Sequence, residues 1–547
     1  MSMRSSRAVK LSVAALCSLL VAGCFGGSGG SGSDGSGSSY SGMDPDAGEP
    51  KSGGVYVTAG PSDASSLDPQ TQSSFNTHVA VGAVYSKLMD YKTGPDIEYG
   101  ASEIEGDLAE SAEPSSDNMT WTFKLRQGVK FHNKAPVNGR EFTSADVVCT
   151  MDRIMDVGFQ KYLIAPVVES YTAPDPYTVE FKLKQPVARF DVTMANHYME
   201  ILPCEATQGQ VDLTNDAIGT GPFILQSWTR NQERVYVKNP DYFVEGKPYL
   251  DGITTIIMPD QQAQIAALRS GKIDYMSSLS TDKRQVENLA KEIDGLTVEQ
   301  HKGSTPTRMF MNMANAPFDD VNVRKALAMA IDREGMGGAL RAGYTISGPV
   351  PPLLEGALPE DELLKMQPYD PEGAKKLLAD AGYPDGFDVT MVLTNGYGDV
   401  VVQEAQWIQE DLAKIGVNVT LDVQDYATYF TDTWPKKNYT LGYGLQTPML
   451  SATEFLSAEY LTTGARNWYN IADSELDTQI NELIGISDQK EYETATQDVQ
   501  KYILENVMDP VTLYTYDTQD IYAPYVKDVW AHPAYGRRWL MNMWLDK

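Results

Sequence analysis

Val389-Thr390-Met391-Val392-Leu393 and Val417-Asn418-Val419-Thr420-Leu421-Asp422-Val423 are two strand-like runs rich in β-branched residues, and Gln403 to Ile415 between them repeats apolar residues at helical spacing. Strand, helix and strand follow one another within about 35 residues, the length of a βαβ unit. That unit places this part of the chain in the α/β class, with a mixed or parallel sheet.

The same punctuation recurs on either side. Asp370-Pro371-Glu372 supplies a helix cap, a proline at the first helical position and a carboxylate that the helix dipole favours. Ala374, Leu377, Leu378 and Ala381 then form an apolar stripe that Gly382 ends. Asp320 to Ile331 and Ser474 to Ile486 carry similar stripes, and Thr143-Ser144-Ala145-Asp146 reads as a capping box. Thr120 to Val129 alternates, with Trp121, Phe123 and Leu125 on one face, and closes on Gln127-Gly128. Thr178 to Leu183 and Glu233 to Lys238 are further alternating strands, and Val55-Tyr56-Val57 begins the folded part. No internal repeat is visible.

A chain of 547 residues is several times one module, and 42% hydrophobic residues against 22% charged leave ample apolar surface for a large core. Lys plus Arg at 44 against Asp plus Glu at 74 gives a net charge of −30. An acidic surface of that size repels phosphate backbones, so nucleic acid is excluded as a partner.

Arg4, Arg7 and Lys10 precede the apolar run Leu11 to Ala22, the pattern of an export leader and too short for a transmembrane helix. The run ends in Val21-Ala22-Gly23-Cys24, which resembles a bacterial lipobox, with residues 1–23 as leader and Cys24 as the lipidated residue. Gly26 to Gly42 is nearly all Gly, Ser and Asp, so residues 24–50 read as a flexible tether. Of the remaining cysteines, Cys17 leaves with the leader. Cys149 and Cys204 stay in an oxidising compartment, where a bridge between them and a pair of buried thiols are both open readings.

Catalytic and metal signatures are sparse. His78, His132, His197, His301 and His532 are scattered, with no pair at zinc-binding spacing, and give little support for nickel or haem as ligand. A phosphate-cradling G-x-x-x-x-G-K-[ST] loop is missing, so any ATP hydrolysis belongs to a partner. Gly26-Gly27-Ser28-Gly29-Gly30 spells a nucleophile-elbow string but lies in the tether. The reading is therefore of a chain with no cofactor and no metal site, while a carboxylate pair for glycoside hydrolysis stays open, because its defining separation is spatial and 74 acidic residues cannot be sorted by counting.

Several stretches coincide in order with one family. They include Asp107-Leu108-Ala109-Glu110, Trp121 to Phe131, Ser144-Ala145-Asp146-Val147-Val148 and Ile218-Gly219-Thr220-Gly221-Pro222-Phe223. Asn239-Pro240-Asp241-Tyr242-Phe243, Lys247 to Ile253, Ser270 to Asp274, Pro317 to Leu327 and Leu377 to Tyr383 continue the series. Together they resemble the bacterial extracellular solute-binding proteins of family 5, the peptide, nickel and oligosaccharide class that feeds ABC importers. The resemblance implies an α/β, two-lobe periplasmic-binding-protein-like fold (type II, cluster C) with an inserted subdomain and a hinged cleft. On that basis lobe I comprises 51–80, 217–306 and 513–547, the insertion 81–216 and lobe II 307–512, with Cys149 and Cys204 both in the insertion. Gly219 and Gly221 are expected to serve a tight backbone path in a crossing segment, and Arg126 with Gly128 a turn.

The function implied is capture of a small solute by lobe closure and delivery to a permease and its ATPase subunits. The protein would be a monomer, exported and held by lipid on the outer face of the cytoplasmic membrane. Peptide-binding relatives place an aspartate for the ligand's ammonium in lobe II, and the matching stretch here, Leu441 to Phe455, has none. Glu454 is the nearest acid but aligns with the following helix, which disfavours a free-amine di- or tripeptide. Candidate ligand-binding residues near the expected cleft are Phe75, Asn76, Tyr397, Tyr426, Tyr443, Gln446, Arg466, Asn467 and Trp468. Aromatic faces and amides suit sugars as well, so an oligosaccharide stands beside a peptide-like solute. An exported hydrolase and a sensory lipoprotein without a permease are the other classes carried.

Overall fold

The computed structural model describes residues 48–277, 283–446, 448–486, 488–534 and 538–547; the leader and lipidated Cys24 expected from sequence, and most of the expected tether, lie outside them. Among the described residues no helix is long and apolar enough to cross a membrane.

Two large sheets organise the fold. The first has seven strands in the order Thr297–His301, Thr518–Tyr522, Tyr275–Ser277, Val55–Gly60, Gly252–Ile257, Glu233–Lys238 and Phe223–Thr229. The second has six, in the order Tyr344–Ile346, Val511–Tyr516, Pro306–Met311, Leu441–Leu445, Phe387–Thr394 and Val417–Gln424. The βαβ unit read from the sequence sits in the second. Phe387–Thr394 runs parallel to Val417–Gln424 in unbroken register, with helix Asp399–Ala413 between them in the chain. A four-stranded antiparallel sheet, Ala109–Pro114, Thr120–Leu125, Thr178–Leu183 and Val168–Asp175, forms the insertion.

The cores follow the sheets unequally. One hydrophobic cluster runs from Tyr56 and Leu225 in lobe I through Leu108, Phe123 and Phe181 in the insertion, so these two parts are packed as one body. Lobe II has cores of its own, one built from Met309, Leu327, Met391, Ile408 and Leu513 and another around Phe310, Phe455 and Ile480.

The chain passes between lobes where Thr297–His301 gives way to Pro306–Met311 and again at Asp517. Strand Val511–Tyr516 pairs within lobe II, so the second crossing lies at Asp517 rather than between residues 512 and 513. The Gly219-Thr220-Gly221 segment is not one of these crossings. It returns the chain from the insertion to the lobe I sheet, with Gly221 N–H donating to Val84 O and Phe223 N–H to Ala83 O. The path is tight, as its glycines imply: a Cβ on Gly219 would stand 2.2 Å from Val84 O, and one on Gly221 2.6 Å from Ala83 O.

His132 holds that segment from the other side. Its Nε2 lies 3.0 Å from Gly221 O and its Nδ1 accepts from Gly219 N–H at 3.4 Å, which fits a neutral ring protonated at Nε2. His532 is bonded alike, Nε2 to Ala101 O at 3.1 Å and Nδ1 accepting from Ala534 N–H at 3.0 Å. Burial pushes both imidazoles down to about 4 from an ordinary value of 6.5. The unfolded chain therefore takes these protons first as pH falls. Their contribution to stability is complete above pH 6.5 and is lost on the way down to about 4. Replacing both by phenylalanine is expected to flatten the fall in urea-unfolding free energy across that window, read as the difference between wild-type and variant profiles.

The capping box at Thr143 is formed in both directions and starts helix Ser144–Val157. Cys149 on this helix is disulfide-bonded to Cys204 at the start of the short helix Cys204–Thr207, with Cα atoms 5.4 Å apart. Arg140 reinforces the joint, reaching Asp146 at 2.9 Å and Glu205 at 2.7 Å. The bridge closes a sequence separation of 55 residues. A Cys149→Ala/Cys204→Ala variant is accordingly expected to lose about 2–4 kcal/mol in denaturant titration, with the change confined to the transition that includes the insertion.

Candidate functional site

Among the described residues, polar contacts join the lobe I body to lobe II at Glu454, Arg466 and Tyr426. On the first wall, residues 158–162 and 195–200 of the insertion pack against helix Phe75–Val81. Tyr198 is the centre of this wall, with its ring 4.7 Å from His78, 4.7 Å from Phe159 and 3.9 Å from His197. His78 is itself fixed by Gln72 O at 2.8 Å and Glu200 Oε1 at 3.0 Å. The cage leaves Tyr198 one orientation, its hydroxyl facing lobe II.

The opposite wall is helix Ala452–Glu459 with the loops that precede and follow it. Ser451 caps the helix by accepting from Glu454 N–H at 3.1 Å. A side chain in the first turn leans back over the preceding loop, and this brings the Glu454 carboxylate to the lobe boundary. There it accepts from Tyr162 Oη at 3.2 Å and from Asn196 Nδ2 at 3.0 Å, both across the boundary, and from Leu450 N–H at 3.2 Å. Burial pushes this carboxyl up, while the Leu450 amide, the Arg466 charge, Asn196 and Tyr162 oppose the shift. Arg466 makes the second contact, Nη2 donating to Tyr198 Oη at 3.0 Å. Burial works against its charge, but Tyr198, Tyr162 and Glu459 keep the guanidinium protonated. The third is Tyr426, whose hydroxyl bonds Ser74 of lobe I and is pushed up to about 12, chiefly by burial.

The residues expected from sequence divide accordingly. Arg466 and Tyr426 stand on the boundary. Phe75 and Asn76 follow Ser74 on the lobe I side, Phe75 exposed and Asn76 bonded to Ser62 Oγ at 2.8 Å. Tyr397 packs edge-on to Tyr426 at 5.7 Å, and Trp468 meets Trp434 at 4.5 Å, so both join an aromatic cluster inside lobe II. Asn467 is spent on its own loop, bonding Leu461 O at 3.0 Å and Ile471 O at 2.7 Å. Gln446 is buried and donates Nε2 to Glu459. Tyr443 is wholly inside the lobe II core, its hydroxyl donating to Glu404 Oε2 at 2.8 Å. Cys24 lies outside the described residues.

Tyr162, Asn196 and Tyr198 were not legible as site residues. The one local cue is a polar Asn196-His197-Tyr198 inside the largely apolar run from Val192 to Leu202. Glu454, read from sequence as part of a helix, is both helical and at the boundary. Among the described residues no group of three or more His, Cys, Asp or Glu could hold a metal ion.

Glu404 accepts from Arg341 Nε at 2.6 Å and Nη2 at 2.8 Å as well as from Tyr443 and Tyr514, so it serves the lobe and not the boundary. Tyr443→Phe is expected to cost about 1–3 kcal/mol in urea unfolding and to leave solute affinity, measured by calorimetry, unchanged.

Known proteins resemble this chain over most of its length. The family model described as "Bacterial extracellular solute-binding proteins, family 5 Middle" matches residues 103–467, a span that includes Tyr162, Asn196, Tyr198, Glu454 and Arg466. Heme-binding protein A of Haemophilus influenzae is 30% identical over 438 residues, 75% of this chain and 77% of that protein. The probable D,D-dipeptide-binding periplasmic protein DdpA of Escherichia coli is 28% identical, covering 83% of this chain and 87% of its own. Among solved structures, the ABC transporter-associated periplasmic binding protein DppA from Helicobacter pylori, in complex with peptide STSA, superposes with a TM-score of 0.80. It is 25% identical, and the match covers 91% of this chain and 99% of that one.

Proposed function

Because the chain belongs to the bacterial extracellular solute-binding proteins of family 5, we propose that it is the extracytoplasmic receptor of an ABC importer, capturing a peptide-like solute between its lobes. The family is one of binding proteins, and the chain is not an enzyme. Two of the relatives compared are named for dipeptide or peptide ligands, which supports the peptide-like class.

The observation that carries the reading is the boundary itself. A half-buried carboxylate, Glu454, and a buried guanidinium, Arg466, both project from lobe II against polar groups of the insertion. Opposite charges held in a water-poor interface suit a solute that carries both an ammonium and a carboxylate. Glu454 supplies a carboxylate that the stretch Leu441 to Leu450 lacks, which restores free-amine peptides to the candidate ligands.

Solute binding would draw the lobes together, and the closed surface would be what the permease recognises, with ATP hydrolysis in partner subunits. Lipid on Cys24 and the Gly/Ser-rich tether would confine the receptor to the outer face of the cytoplasmic membrane, raising its effective concentration at the permease.

Native mass spectrometry of the protein as purified tests the ligand class. A ladder of peptide masses is expected. Hexose increments, or a haem mass with a Soret band, would replace the peptide reading, and the absence of any thermal stabilisation by peptide pools would remove it.

A further inference from the structure

Behind the lobe I wall, His78 and Glu200 are both buried. The His78 ring has an acceptor at each nitrogen: Gln72 O lies 2.8 Å from Nε2, and Glu200 Oε1 lies 3.0 Å from Nδ1. A backbone carbonyl only accepts, so Nε2 carries a hydrogen. In a neutral ring that leaves Nδ1 as a bare lone pair facing a carboxylate oxygen, and neither atom has anything to donate. Contact at 3.0 Å therefore requires one further proton between Nδ1 and Oε1, whichever of the two atoms carries it. With that proton the pair has no net charge. Without it a carboxylate is buried with no donor from His78, and its Oε2 already has no hydrogen-bond partner among the described residues.

The pair ties together two lobe I segments that reach lobe II. His78 belongs to helix Phe75–Val81, whose cap residue Ser74 bonds Tyr426. Glu200 follows the segment in which Asn196 bonds Glu454 and Tyr198 bonds Arg466. His78 also meets Tyr198 edge-on at 4.7 Å, so the ring that holds the proton is part of the cage that aims the Tyr198 hydroxyl. The other titratable groups beside the pair leave the proton to it. Burial holds the His197 imidazole well below its ordinary range, and positive charge on His78, Lys87 and Arg466 adds to that. Burial likewise pushes up the hydroxyls of Tyr198 and Tyr85, both of which feel the Glu200 charge. Across the boundary, Tyr198 faces Arg466 and Glu454.

We propose that this shared proton controls lobe closure. While the His78–Glu200 pair holds it, helix Phe75–Val81 and the Asn196–Glu200 segment present one wall to lobe II; its loss as pH rises sets a lone pair against a buried carboxylate, parts the two segments and weakens closure. This rests on closure as the step that captures solute and adds to it a dependence on pH that belongs to the protein and not to the guest.

Glu200→Gln separates the contact from the proton, because an amide donates to Nδ1 at every pH. Full-length protein freed of solute and isotope-labelled at its histidine rings is followed by NMR from about pH 6 to about pH 9. The His78 signals are assigned by their absence from His78→Gln. In the wild type they are expected to shift with pH, and in Glu200→Gln to stay those of a neutral ring protonated at Nε2. Small-angle scattering of the same samples reads closure without any ligand: the wild type is expected to expand as pH rises and Glu200→Gln to keep its acidic-side dimensions. Calorimetry with trialanine is expected to show about tenfold weaker binding by the wild type at the alkaline end, with most of that loss absent in Glu200→Gln. A response of the peptide's own ammonium appears equally in both proteins and cancels in the comparison. His78→Gln, which lacks the titrating ring, carries the scattering and calorimetric comparison if Glu200→Gln fails to fold. Wild-type His78 signals or dimensions that do not change with pH overturn the proposal, as does the same pH dependence in wild type and variant. If trialanine binds neither protein, the peptide-like reading loses support, while NMR and scattering still decide the role of the proton.

Discussion

The two passages between lobes are pressed against each other, and this contact sets the terms for the rest of the molecule. A Cβ on Gly303 would lie 1.8 Å from Tyr516 O, so the outgoing chain can pass the returning one only as bare backbone. Asp517 is braced where it crosses, its N–H donating to Gly343 O at 2.9 Å and its carboxylate accepting from Gln300 Nε2 at 2.7 Å. A junction this narrow transmits little bending stiffness, while the bodies it joins are packed through continuous cores. Relative motion is thereby concentrated at the junction, the arrangement that hinge closure requires.

The insertion belongs mechanically to lobe I. Its four-stranded sheet shares a core with the seven-stranded one, and His132 pins the returning segment at Gly219 and Gly221. The wall built by Tyr162, Asn196 and Tyr198 therefore moves with lobe I as one surface. What faces it is unusually polar for a buried boundary, and desolvation of Glu454 and Arg466 offsets much of the favourable contact energy. Such an interface is poorly suited to holding two lobes together permanently. It is well suited to a closure whose balance a small polar guest can tip.

The residues inside lobe II illustrate why polar side chains near a cleft need not serve it. Tyr443 and Gln446 lie on or just after strand Leu441–Leu445, and both are turned inward to buried carboxylates. Alternation along a strand sends neighbouring residues to opposite faces, and the sequence does not say which face meets the other lobe. Asn467 is bound to its own loop for a related reason: four backbone groups there lack partners in regular structure and the amide supplies them.

Local order was legible because it is set by neighbours in the chain. The parallel pair Phe387–Thr394 and Val417–Gln424, the Thr143 capping box and the helix begun by Asp370-Pro371 all follow from periodicity and backbone hydrogen-bonding needs within a few residues. The tight glycine path at 219–221 was legible for the same reason, since only a missing Cβ permits it. The boundary was not. Tyr162, Asn196 and Tyr198 come from one body and Glu454 and Arg466 from the other, separated by 292, 258 and 268 residues in their direct contacts. No local rule couples positions so far apart. Only the path of the chain through two separate cores brings them together, so the type of fold was written in the sequence while the identity of the groups that meet in the cleft was decided by tertiary packing.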